Sequence, residues 1–422
     1  MYVRSTMIPH VTPDRTGIPK NGIAQRDLRP TPNTEAGWEE ALLDQILATA
    51  ETDTTHLNKY SDLYDRLTSN LREIRDTQEL PSHQTIDDVY VTMVSIILQE
   101  TKAGRELRHT NEQRKHHTKR KANRYAYAQY QELYKKKPGV LAKYIREDIS
   151  WLEDRAAALP PDAIHAFYTN LWGTSTSINI PFDRTMHADH HIPDKITGVI
   201  TKKEFNNRFN RLKNGSAPGP EGITRKHITN LCVKEALRLF YNILLVCRFQ
   251  PSAWSTNRTI LIPKQGNDLE RTENYRPLTI GSILGRIYWG IFDTRLRSYA
   301  DFSHRQKGFV SEAGCFNNVH ALAVLLRLAK ARTGMVLIQL DISKAFDTIP
   351  HEAIEPALHK LGIPTVLRSS IVNSYTQMRT SIEHHGSAVS MQLRRGVKQG
   401  EPLSPYIFNA IINPLLGQLE NL

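Results

Sequence analysis

The second half of this 422-residue chain predicts an α+β fold, on three observations. From Ile196 onward, short helical and strand-like patterns alternate, with frequent turn residues between them. Thr259–Ile262 reads as a strand that stops at Pro263-Lys264. A second apolar run (Met335, Val336, Leu337, Ile338, then Leu340) ends on Asp341 and reads as a core strand with a carboxylate at its mouth. The first half is different and predicts a mostly helical extension.

Residues 1–36 are rich in Pro, Thr, Asn and Gly and form an expected flexible tail. Residues 37–150 form the helical extension. From Gly37 to about Leu80 the apolar residues Trp38, Leu42, Leu43, Ile46, Leu47, Leu57, Leu63, Leu67 and Leu71 keep helical spacing. A further helix opens at Pro81 and Ser82, with Asp87 and Asp88 expected in its first turn. Residues 151–195 hold a helix, from Trp151 to about Trp172, and a linker in which His187, His190 and His191 read as exposed loop residues.

Charge is concentrated in one place. The chain carries a formal net charge of +12, which points to an acidic partner. Segment 114–146, "RKHHTKRKANRYAYAQYQELYKKKPGVLAKYIR", holds eleven Lys and Arg residues against the single acid Glu132. Lys119, Arg120, Lys121, Arg124, Lys135, Lys136 and Lys137 are interleaved with Tyr125, Tyr127, Tyr130 and Tyr134. Cations that displace counterions from phosphates, next to rings that stack on unpaired bases, predict an RNA-binding segment. A solvated basic helix with packed tyrosines is the plainer alternative. "KRK" adds a weak nuclear-import signal, so the expected location is intracellular and nuclear. Cys232, Cys247 and Cys315 lack ligand spacing and argue against a disulfide scaffold or zinc finger. The opening residues lack a signal-peptide core, and the longest apolar stretch, Val89 to Leu98, is too short to cross a bilayer, so no membrane role is expected.

Within 196–422, four stretches carry chemistry, the fourth with a companion further along the chain. "SAPGPEGI" (216–223) has too many Pro and Gly breaks for a helix or central strand, and reads as a rigid loop or a plain surface turn. Lys264 follows the first strand, and Arg276 lies in "NYRPL" (274–278) ahead of a helix starting near Ser282. An ammonium and a guanidinium at the ends of successive extended segments could converge on one anionic group; as isolated cations they would be surface residues. "QKGF" (306–309) leads into a helix from about Cys315 to Lys330 with Leu322, Leu325, Leu326 and Leu328 as its apolar face. In "LIQLDISKAFDTIPH" (337–351), Asp341 and the Ile342 carbonyl suit a hard cation, and Phe346 offers a flat wall for a sugar. Asp347 reads as a cap of the next helix. "RRGVKQGEPLSP" (394–405) then breaks from a loop into a helix at Gln399 and Gly400.

Taken in order, "SAPGPEGI … LIPK … NYRPL … QKGF … LIQLDISKAFDTI … RRGVKQGEPLSP" resembles the motif series of reverse transcriptases of non-LTR (LINE-like) retrotransposons. The basic segment resembles the RNA-binding extension of the site-specific group that carries a restriction-like endonuclease. The likeness covers roughly 114–416, and Glu221 stands where the family usually has Asp. It implies the fingers and partial palm of a right-hand polymerase over 196–422. It also implies Asp341 and Ile342 on catalytic Mg2+, Lys264 and Arg276 on the incoming triphosphate, Phe346 rejecting a ribose, and Gln399 and Gly400 shaping the nucleotide pocket. The implied partners are an RNA template, a DNA primer and dNTPs. The family's Asp-Asp hairpin follows the Gln-Gly helix, and the sequence stops at "LLGQLENL" before any such hairpin; the Asp87-Asp88 pair is in the wrong order to replace it. The expectation is a fragment or decayed copy, inactive alone. The alternative is a dead RNA-binding relic.

Overall fold

The computed structural model describes residues 35–52, 61–77, 79–106, 131, 134, 139, 159–174, 194–264, 269–300, 302–330 and 336–420. The basic residues Lys119, Arg120, Lys121, Arg124, Lys135, Lys136 and Lys137, and the linker histidines, lie outside them.

Three helices come first: α1 (Glu35–Thr52), α2 (Ser61–Thr77) and α3 (His83–Glu106). Asp87 and Asp88 sit in the second turn of α3, which corrects the first-turn expectation. Asp87 accepts a hydrogen bond from the Ser252 N–H at 2.7 Å, so it reaches across the fold instead of serving its own helix terminus. After α4 (Pro161–Trp172) and α5 (Asp194–Thr197), α6 (Lys202–Arg211) opens with a capping box between Thr201 and Glu204. Then α7 (Leu231–Cys247) begins at Asn230, whose side chain accepts from the Cys232 N–H. Because α7 is apolar on nearly every side, it is buried on every side and becomes the axis of the core.

A four-stranded sheet is built from β1 (Thr256–Pro263), β2 (Tyr275–Ile280), β3 (Arg379–His384) and β4 (Ser387–Gln392), in the order β2-β1-β3-β4. β1 pairs antiparallel with β2, parallel with β3, and β3 pairs antiparallel with β4. Between β2 and β3 run α8 (Ile283–Arg297), α9 (Gly314–Lys330), α10 (Ile354–Lys360) and α11 (Thr365–Tyr375); α12 (Ser404–Glu420) follows β4. Trp254, Tyr241 and Tyr288 form a closed aromatic group, with ring centroids 5.3–6.3 Å apart, and Tyr90 from α3 meets Trp254 edge-on at 6.0 Å. Mixed helix and sheet is therefore the architecture, as the α+β reading expects.

One expected strand is missing. Residues 336–342 belong to no strand, and Val336 and Leu340 are 86% and 82% exposed. A strand gains its hydrogen bonds only from a neighbour, and no strand of the described sheet pairs with this run. The helix at 315–330 does form, as α9, yet Leu322, Leu325, Leu326 and Leu328 face solvent instead of a core.

Candidate functional site

The "SAPGPEGI" loop is docked, which favours the rigid reading. A Cβ on Gly219 would sit 2.8 Å from both the Gly281 carbonyl oxygen and the Ser282 Cα, so only glycine permits this approach. Glu221, in the place of the family's Asp, accepts from the Ile283 N–H at 3.1 Å, while Ser282 accepts from Leu284 and Gly285. The loop thus ties down the start of α8, just after β2.

β1 and β2 then bring the two expected cations together. In their antiparallel register Ile262 faces Arg276 and Pro263 faces Tyr275, which places Lys264 two positions beyond the Ile262–Arg276 pair. The Lys264 N–H donates to the Asn274 carbonyl at 2.9 Å, and its ammonium donates to the Glu273 carbonyl at 2.8 Å. Arg276 is exposed, and its guanidinium makes no hydrogen bond or ion pair among the described residues. Both line a cavity of about 210 Å³ together with Gln399 and Lys344. The opposite wall is α4, through Phe167, Tyr168 and Leu171.

At the floor of this cavity lies Asp347. Its side chain is no helix cap: the turn that follows starts at Pro350 without a side-chain cap. Its carboxylate accepts from the Trp172 indole Nε1–H at 3.3 Å on one oxygen and from the Gln399 Nε2–H at 2.9 Å on the other. Burial raises its pKa above the ordinary 3.8; the Trp172 and Gln399 hydrogen bonds, Lys344 and Lys264 offset only part of that cost.

The segment before Gln399 is held from three sides. The Arg394 N–H donates to the Trp172 carbonyl, and the Arg395 guanidinium donates to the Leu171 and Asn170 carbonyls, which occupies the open carbonyl end of α4. Gly396 and Val397 donate to the Ile349 and Phe346 carbonyls at 2.6 and 2.8 Å. Thr279 of β2 donates to the Gln399 carbonyl at 2.9 Å. Gly400, at φ +119°, lies so close to β2 that a Cβ would stand 2.7 Å from the Thr279 oxygen.

Of the residues singled out in sequence, Lys264, Arg276 and Gln399 are brought together, and Gly400 supports Gln399 from behind. Phe346 stands on the adjoining turn, stacked on Phe408 at 5.1 Å and edge-on to Phe309 at 5.7 Å. Asp341 and Ile342 stand apart, exposed on the extended run. Among the described residues no group of three His, Cys, Asp or Glu is placed to hold a metal ion. Asp341 alone does not make a two-ion site, and Asp347 is already engaged. Sequence reasoning missed Asp347, Lys344 and the α4 wall. Trp172 lies 175 residues from Asp347, and nothing local announces that pairing.

With the mixed sheet, the docked loop and the cation-lined cavity described, comparison gives the chain a family. Residues 262–422 match the reverse transcriptase (RNA-dependent DNA polymerase) family, and the chain carries a reverse transcriptase domain of the non-LTR retrotransposon class. It is similar to the retrovirus-related Pol polyprotein from type-2 retrotransposable element R2DM of Drosophila melanogaster, 30% identical over 314 residues, or 74% of this chain and 29% of that protein. A Pol polyprotein from the type-1 retrotransposable element R2 of Popillia japonica is 36% identical over 209 residues, covering 49% of this chain and 29% of the relative. The RNA-directed DNA polymerase from mobile element jockey of Drosophila melanogaster is 26% identical over 228 residues, 51% of this chain and 24% of its own length. The chain spans about three-tenths of the length of the first two relatives. No helix among the described residues is long and apolar enough to cross a membrane.

Proposed function

We propose that this chain is the fingers and partial palm of an RNA-directed DNA polymerase within a non-LTR retrotransposon polyprotein. It would extend a DNA primer along an RNA template with dNTPs. One observation carries the reading: Lys264, Arg276, Lys344 and Gln399, spread over 136 positions, line a single cavity. In nucleotidyl transfer the primer 3′-oxygen attacks the α-phosphorus and pyrophosphate leaves, and catalysis is mostly positioning and charge stabilisation. Here the ammonium groups and the guanidinium fork would hold the phosphates, and Gln399 would meet the nucleoside. The Phe346 face would exclude a 2′-hydroxyl. Asp341 and the Ile342 carbonyl would contribute to a Mg2+ site, which the described residues do not complete. The basic segment with Lys119–Lys121, Arg124 and Lys135–Lys137 would hold template RNA, and its "KRK" would direct the protein to the nucleus.

The test is primer extension on an RNA template with dNTPs and Mg2+, using this chain and a version continued through the downstream genomic codons. Extension by the longer form is expected, abolished by Asp341→Ala and shifted in dNTP KM about 10- to 100-fold by Arg276→Ala, the worth of one charge-assisted hydrogen-bonded contact. No extension by either form, with salt-sensitive RNA binding retained, would favour the second reading of an RNA-binding protein without catalysis. The exposed, solitary Asp341 supports that second reading.

A further inference from the structure

Gln399 has an amide with two unlike ends, and the structure shows which end is held. A carboxylate only accepts hydrogen bonds. Asp347 therefore fixes the Gln399 Nε2 toward itself at 2.9 Å, and the Oε1 is the other end of a side chain that lines the cavity. The other Asp347 oxygen is anchored by the Trp172 indole, whose ring is itself held against Tyr168 at 4.5 Å. Trp172 precedes residues 262–422, so the part that matches the family does not contain its own anchor.

We propose that Asp347 and Trp172 are positioning residues that set the direction of the Gln399 amide, so that the cavity presents a hydrogen-bond acceptor to a donor on the bound nucleotide. This rests on the nucleotide reading of the cavity. The arrangement is a relay of two hydrogen bonds, indole N–H to carboxylate and amide N–H to carboxylate, that leaves the amide oxygen for the ligand. Asp347→Asn keeps the shape but turns one oxygen into a donor. With its remaining oxygen on Trp172, the new amide nitrogen would face Gln399. The Gln399 amide must then turn over to offer its oxygen to Asn, and its NH2 would face the cavity. The site would change from acceptor to donor without losing a hydrogen bond or a packing contact.

The experiment uses the full chain, selectively labelled with 15N in glutamine side chains and tryptophan indoles, with dTTP as the probe. Gln399→Ala identifies the Gln399 amide signal, and Trp172→Phe the indole signal. Asp347→Asn is expected to shift the Gln399 NH2 signal and to lower dTTP affinity about tenfold, the worth of one hydrogen bond replaced by a mismatch. In a Gln399→Ala background, Asp347→Asn is expected to have no further effect on affinity, because Asp347 acts only through that amide. A merely structural Asp347 would instead give additive losses, and that result overturns the proposal. So does an unchanged Gln399 signal in Asp347→Asn. If the wild-type chain binds no dTTP, the nucleotide reading and the affinity claim fall together. The Gln399 signal still decides whether Asp347 sets the amide.

Discussion

Asp347 is 7% exposed and sits between Trp172 and Gln399, so it shows what burial does to a carboxylate that is paired with dipoles more than with charges. Desolvation raises its pKa above 3.8, since two neutral donors and the more distant Lys344 and Lys264 do not fully replace water. The sign follows from linkage. A group whose folded-state value is raised contributes stability below the unfolded value, and that contribution is lost as pH rises through the folded value. Asp347→Asn cannot ionise and keeps both hydrogen-bonded neighbours. Its stability relative to wild type should therefore increase as pH rises from about 3.8 toward neutrality. Urea unfolding of both proteins across that range measures it, and a stability difference that does not move with pH would refute it. None of this was legible in "AFDTI", because the pairing partner lies far off in sequence.

At the scale of elements, the sequence announces what a segment tends to form better than what will cover it. The two extended segments of β1 and β2 were legible from Pro263-Lys264 and "NYRPL", whereas their antiparallel register is seen only in the structure. α9 was legible as a helix, but not the exposure of its leucines, Leu325 at 50% among them. The run 336–342 has strand composition but no strand, because periodicity says nothing about a neighbour across the hydrogen-bonding edge. The loop that carries Gln399 is the converse case, an irregular element made rigid by contacts from α4, β2 and the 346–351 turn. Its dependence on glycine can be tested. Gly400→Ala meets both a left-handed φ of +119° and a 2.7 Å approach to the Thr279 oxygen, which predicts a loss of about 1–3 kcal/mol. Thermal unfolding should show a drop of several degrees. An unchanged midpoint would mean that the loop moves away from β2 at no cost, and Gln399 would then not be fixed by this contact.

Over the whole molecule, the N-terminal helices are part of the core that supports the site. Three contacts converge on residues 248–254, the connection from α7 into β1. Glu39 pairs with Arg248, which caps α7 in a left-handed conformation. His83 stacks on Phe249 at 3.8 Å, and Asp87 accepts from the Ser252 N–H. Tyr90 fills the space behind them against Trp254 and Phe240, with its hydroxyl 3.5 Å from the Ser282 oxygen. β1 ends at Pro263, immediately before Lys264, so the brace on its entry is also a brace on the cavity. Removing the Tyr90 ring should therefore loosen β1 more than the distant α12. Tyr90→Ala is expected to cost about 3–5 kcal/mol, the usual range for deleting a large buried ring. Tyr90→Phe should cost less than about 1.5 kcal/mol, because its hydroxyl makes only a long contact. Native-state hydrogen exchange separates a local brace from a general loss of stability. In Tyr90→Ala, amides of β1 should lose protection beyond the drop seen across α12. Equal losses in both would make α3 a remote part of one cooperative core, with no special hold on the strand that leads to Lys264.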